Sequence, residues 1–270
     1  MSDSVFQGVA DTLYIPLTAR IYVSKRFPQY FYDPKALELE SAIPGASIAE
    51  KSNEYQMIAS VARYYNLDEM VLAYGAQHAS ACNIVNLGCG LETMWWRLHD
   101  KLPQARFYDM DLPEVIATRQ RVLGEAPTET LIAGDLFDMA WAEAVDKSLP
   151  TLLIVSGVFQ YFHNEEVLGF IARAKAFFAD GELIFDATNS KGIKYTNKYV
   201  QKTGNNSAMM YCAIDDVPAF AREAKCELLE HRPFFVATRK MLKGKVGIYS
   251  KVAMWVTDHS NRAFLVHLKL

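Results

Sequence analysis

Asn83 to Leu87 form an apolar run that ends in Gly88-Cys89-Gly90, and Leu91 to Arg97 continue in helix-compatible sequence. Two glycines one residue apart at the end of a strand allow a tight turn and let a ligand approach the backbone. The first amides of the following helix then point at that ligand. The pattern suits a nucleotide-bearing ligand, and it equally suits a plain structural turn. The third glycine of the full dinucleotide fingerprint is absent, because Thr93 stands in its place. Asp109 and Asp111 lie 21 and 23 residues beyond Gly88, at the end of the next apolar stretch. A carboxylate in that position meets the hydroxyls of a ribose. Asp111 can also serve as a cap for the helix that Pro113 opens.

These residues need a sheet to hold them. From residue 83 onward, strand and helix signals alternate: strands near 84–87, 105–111, 130–134, 151–156 and 182–186, with helices near 113–123 and 164–178. That order predicts an α/β fold with a doubly wound, mostly parallel sheet and a ligand crevice at the carboxyl ends of its strands. Residues 1–80 read as an N-terminal helical cap, with helices over 11–23, 35–40 and 48–74, and Pro16 near the first turns of the first. Residues 81–270 read as the core. Within it, the stretch 187–213 is rich in Asn, Ser and Gly and predicts a lid-like insertion. A helix follows near 217–224. The closing segments 226–235 and 262–270 read as edge strands, with a helix near 248–256 between them.

With 270 residues and 51% hydrophobic content, the chain can bury a full core. Its net charge of −3, spread without blocks, leaves no electrostatic footprint for nucleic acid or an anionic membrane. A small-molecule partner is therefore expected. Cys82, Cys89, Cys212 and Cys226 have neither C-x-x-C spacing nor a metal-ligand pattern, so no metal is expected. No secretory or membrane-spanning segment is evident, and a soluble, cytoplasmic protein is the expectation.

Several separated segments, in order, resemble the leucine carboxyl methyltransferase superfamily, and within it the bacterial branch of tetracenomycin-type O-methyltransferases. They are Leu13 to Arg20, Arg63 to Asp68, Val85 to Thr93, Asp109 to Ile116, Gly134-Asp135-Leu136 and Ser156 to Phe162. The resemblance covers most of residues 11–190 and implies a Rossmann-like class I methyltransferase fold with S-adenosylmethionine as methyl donor. It implies that Arg63 pairs with the methionyl carboxylate and that the backbone at Gly88 and Gly90 lies against the cofactor. Asp111 resembles the acid on the ribose hydroxyls, with Asp109 as a near alternative. Asp135 and Leu136 resemble the pair that reads adenine. These assignments agree with the groups' chemistry, since a guanidinium suits a carboxylate and a carboxylate suits hydroxyls or an amine. Arg20 lies in a matched segment and can assist the carboxylate or be solvated. Two positions depart from the family: Ser156 stands where a Glu is usual, and Glu92 where an Asp is usual. Ser156 keeps a place at the cofactor site while removing a charge near the point of transfer.

Tyr161 and His163 follow the fourth strand, where an acceptor would meet the methyl group. The Tyr161 ring can face the sulfonium or pack in the core. His163 can act as a general base for a hydroxyl acceptor or simply occupy a helix-capping loop. The expected function is O-methylation of a small-molecule hydroxyl or carboxyl group. Alternatives are methylation of a protein's C-terminal carboxyl, a catalytically silent S-adenosylmethionine-binding protein, and a nicotinamide oxidoreductase. The missing third glycine and the Asp135-Leu136 pair argue against the last.

Overall fold

The computed structural model describes residues 3–41, 52–203 and 209–270. Its seven strands are β1 (Cys82–Leu87), β2 (Ala105–Asp111), β3 (Glu129–Ala133), β4 (Thr151–Val155), β5 (Glu182–Thr188), β6 (Glu227–Pro233) and β7 (Ala263–Lys269). They form one sheet in the order β3-β2-β1-β4-β5-β7-β6. The first five are parallel, and β7 runs antiparallel to both of its neighbours. β1 is buried at every position, as its continuous apolar sequence requires of a strand covered on both faces.

The closing segments were expected at the sheet's edge, and β7 departs from that expectation. It lies between β5 and β6. Its own sequence gives the reason: Phe264, Leu265, Val266 and Leu268 are fully buried, so both of its faces need cover. β6 takes the edge instead, with Leu229 exposed and a register shift between Leu228 and Glu230 of the kind that interrupts an open edge.

Helices cover both faces. On one, α1 (Asp3–Arg26) and α3 (Glu54–Gln77) bring Val23, Ile58, Val61 and Val71 against Ile84, Leu152, Ile154 and Leu265. On the other, α6 (Asn164–Phe177) and α8 (Val217–Glu223) set Val167, Phe170 and Phe220 against Val85, Leu153, Phe185 and Val266. Alternation along each strand sends Ile84 to one face and Val85 to the other. The segment up to residue 80 thus supplies one helical layer of the sheet's own core.

Several boundaries differ from the sequence reading. α1 begins at Asp3, so Pro16 lies inside the helix rather than near its start. α3 begins after Asn53, whose side chain accepts from the Gln56 amide (2.9 Å) while the Gln56 side chain accepts from the Asn53 amide (2.9 Å). That reciprocal cap fixes the start at Glu54, and positions 48–51 of the expected helix lie outside the described residues. In the stretch expected as an irregular insertion, β5 continues to Thr188 and α7 (Ser190–Thr203) follows. Asn189 caps α7 by accepting from the Gly192 amide (2.9 Å), which turns an apparent loop residue into a helix signal. Residues 204–208 lie outside the described region. Among the described residues no helix is long and apolar enough to cross a membrane.

Candidate active site

The carboxyl ends of β1, β2 and β4 open onto a cavity of about 480 Å³ that Gly88, Asp111 and Ser156 help to line. Gly88 and Gly90 make its floor, with φ of +71° and +50°, a region that favours glycine. A Cβ on Gly88 would run into the Val158 side chain. The turn is tied to β2 through the Met110 carbonyl, which accepts from the amides of Gly88 (2.8 Å) and Cys89 (3.0 Å).

Asp111 ends β2 at the cavity wall. One of its oxygens accepts from the Gly90 amide and the other from the Leu112 amide, both at 2.8 Å. Burial pushes its carboxyl above the ordinary range, and the two amides only partly offset this. Each oxygen keeps a lone pair for a further donor. Asp135 also lines the cavity. Its Oδ1 accepts from the Phe137 amide (2.7 Å), and the neighbouring Leu136 closes the wall.

Arg63 reaches the cavity from α3. Its Nη1 lies 3.3 Å from Asp186 Oδ2, and Asp186 Oδ1 accepts from the Gly157 amide (2.5 Å). Burial works against the Arg63 charge, but Asp186 overcomes that and raises the guanidinium's pKa, so the group stays ionised. Gly157, at φ +74°, has no room for a side chain, since a Cβ would stand 2.6 Å from Arg63 Nη1. Two buried polar atoms here have no partner among the described residues: Arg63 Nε and Ser156 Oγ. Orphaned donors on a cavity wall are what a polar ligand satisfies.

The structure thus brings Arg63, Gly88, Gly90, Asp111, Asp135, Leu136, Ser156 and Tyr161 to one cavity. Tyr161 sits on a single 3₁₀ turn, Phe159–Tyr161, at the rim. Two candidates are not brought to it. Asp109, on the same side of β2 but deeper in the sheet, is engaged by Arg119 and by Asn86 Nδ2 (2.7 Å). Its carboxylate has no access to a ribose. His163 is exposed at the start of α6, where its amide donates to Glu166 (2.8 Å) and its ring lies 4.6 Å from that of Tyr211. It belongs to the helix start rather than to the wall.

Sequence reasoning missed most of the groups that hold this wall in place. It singled out Glu92 and left Arg20 either assisting a carboxylate or solvated, whereas Arg20 is fully buried. Asp186 carried the one readable signal, as an acid at the carboxyl end of a strand. Arg97 pairs through two nitrogens with Asp68 (both 2.8 Å) and with Glu92 (2.7 Å). Arg20 pairs with Asp33 (2.9 Å) and donates to the Leu91 carbonyl (2.5 Å). Burial would raise the Glu92 carboxyl, yet Arg97 and Arg20 hold it below its ordinary value. Glu92 therefore stays charged and anchors the glycine turn to the N-terminal helices.

The family model described as leucine carboxyl methyltransferase matches residues 16–174, which include every residue lining this cavity except Leu13 and run almost to the end of α6. The chain belongs to the leucine carboxyl methyltransferase family. A relative within reach is the tetracenomycin polyketide synthesis O-methyltransferase TcmP of Streptomyces glaucescens, 26% identical over 196 residues, covering 72% of this chain and 71% of TcmP. Leucine carboxyl methyltransferase 1 of Eremothecium gossypii is 24% identical, covering 46% of this chain and 47% of its own. A solved structure from Thermobifida fusca YX superposes with a TM-score of 0.61 at 15% identity, covering 93% of each chain, and so supports the fold alone. The sheet is that of a Rossmann-like class I methyltransferase, and the enzyme is S-adenosylmethionine-dependent.

Proposed function

We propose that this methyltransferase transfers the methyl group of S-adenosylmethionine to an oxygen, hydroxyl or carboxyl, of a small molecule. The observation that carries this reading is the arrangement of Arg63, the Gly88 to Gly90 turn and Asp111 around one cavity with orphaned donors at Arg63 Nε and Ser156 Oγ. The donor set fits the cofactor: a guanidinium for its carboxylate, a turn without side chains for its backbone contact, and a carboxylate for its ribose. Asp135 and Leu136 would take the adenine. When bound, S-adenosylmethionine supplies a methyl group already activated by its positive sulfur.

The chain's own work is then alignment and exclusion of water. Leu13 and Pro16 of α1, Phe137, Val158 and Phe162 give the cavity an apolar side on which an acceptor can lie. Tyr161 offers a ring at the rim. A carboxylate acceptor is nucleophilic at neutral pH without help, whereas a hydroxyl needs its proton taken. His163 stands off the wall, which favours acceptors that arrive ionised. A cytoplasmic location belongs to the same proposal and agrees with the four free cysteines.

The test is a panel of carboxylic acids, phenols and C-terminal peptides incubated with methyl-labelled donor. Label in a small carboxylic acid or phenol supports the reading. Label only in the peptide replaces it with protein carboxyl methylation, and label in none leaves a silent binding protein.

A further inference from the structure

Behind the glycine turn lies a second group of buried charges that the transfer itself does not use. Arg119 projects from α5 (Pro113–Leu123) and is fully buried. Its guanidinium makes contacts in three directions. Nη1 donates to the carbonyls of Gly90 (3.3 Å) and Glu92, on the turn that floors the cavity. Nη2 donates to Asp109 on β2 and to Glu129 Oε1 on β3 (2.7 Å), whose side chain is 2% exposed. The Glu129 and Asp109 carboxyls thus converge on one nitrogen of the guanidinium. The Trp96 ring lies across the guanidinium, 5.7 Å from its central carbon.

We propose that Arg119 is a positioning residue for the cofactor pocket, and that a proton shared between Glu129 and Asp109 lets it serve as one. The inference rests on the donor-pocket reading above and deepens it. Gly90 is the link. Its carbonyl is held by Arg119 and its amide is held by Asp111, so the peptide groups on both sides of Gly90 are anchored. Moving Arg119 releases the Gly90 carbonyl, and Asp111 loses the partner that orients it.

The charge count explains why the proton matters. One guanidinium faces two carboxyls in a site closed to water. With Glu129 protonated, Asp109 and Arg119 form a neutral pair and Glu129 bridges to Asp109. With both carboxyls ionised, they repel each other and add negative charge near Asp111 and the Cys89 thiol, the other titratable groups that face the cluster. Burial, followed by the bond to Asp109, pushes the Glu129 carboxyl up to about 8. It therefore stays protonated near neutrality and ionises in mildly alkaline solution. Because this pKa is raised, the cluster's contribution to stability is fully present below the ordinary value of 4.5 and is lost as pH rises through about 8.

Two measurements test the proposal. S-adenosylhomocysteine, which lacks the sulfonium charge, is titrated calorimetrically into wild-type, Glu129→Gln and Arg119→Lys proteins between about pH 6 and pH 9.5. Urea unfolding of the ligand-free proteins covers the same range. Wild-type affinity is expected to hold up to about pH 8 and to weaken roughly three- to tenfold within a unit above it. Glu129→Gln should flatten both the affinity profile and the unfolding profile. Arg119→Lys, which keeps the charge but not the fork, should bind about tenfold more weakly at every pH. Wild-type pH dependence persisting in Glu129→Gln, or unchanged affinity in a folded Arg119→Lys, overturns the inference alone. Failure of wild-type protein to bind S-adenosylhomocysteine at any pH overturns the donor-pocket reading and the inference with it.

Discussion

Gly157 has no room for a side chain because Arg63 already occupies the place where one would go. Gly157→Ala should therefore displace the guanidinium from Asp186 and strain a backbone at φ +74°. The expected cost is about 1–3 kcal/mol of stability, read by urea denaturation. Asp186→Asn makes a milder test at the same spot. It keeps an oxygen for the Gly157 amide and removes the charge beside Arg63, so affinity for S-adenosylhomocysteine should fall about three- to tenfold, ~0.7–1.4 kcal/mol. Unchanged affinity would show that Arg63 does not depend on that partner. The cavity residues differ in how readable they were. Gly88, Gly90 and Asp111 sit within about one strand–turn–strand unit, and local spacing exposes them. Asp186 and Arg63 are separated by most of the sheet, and only folding makes them neighbours. Arg119 has the appearance of any helical arginine, and nothing short of the structure shows its two acids.

At the scale of elements, the register of the sheet places the chemistry. Val155 pairs with Phe185, which puts Ser156 and Asp186 side by side just beyond the ends of β4 and β5. Ser156 itself carries no charge, yet a carboxylate stands one strand away. The mostly parallel, doubly wound sheet was legible because alternating strand and helix signals leave few topologies open. The place of β7 was not, since an apolar run at a chain's end is compatible with edge or interior, and burial on both faces decides only after folding. Leu265→Ala, at a position fully buried in that strand, should cost about 2–5 kcal/mol. A loss well under 1 kcal/mol in chemical denaturation would place β7 back at an edge.

Over the whole molecule, one sheet is clad by helices from both ends of the chain, and the N-terminal layer contributes directly to the site. α1 delivers Leu13, Pro16 and Arg20 to the cavity, and α3 delivers Arg63 and Tyr64. The buried pairs of Arg20 with Asp33 and of Arg97 with Asp68 and Glu92 tie that layer to the glycine turn. Disturbing the layer should therefore weaken donor binding as well as folding. Composition indicated a small-molecule partner, and separated motifs indicated the family, but neither could name the acceptor, because the apolar side of the cavity carries few distinctive side chains. The most direct test is calorimetric titration of S-adenosylmethionine into wild-type and Arg63→Ala protein, with folding checked by circular dichroism. The account predicts one saturable site, weakened about tenfold or more, ~1.4 kcal/mol, by the substitution. Equal affinity in the two folded proteins, or no binding by the wild type, would contradict it.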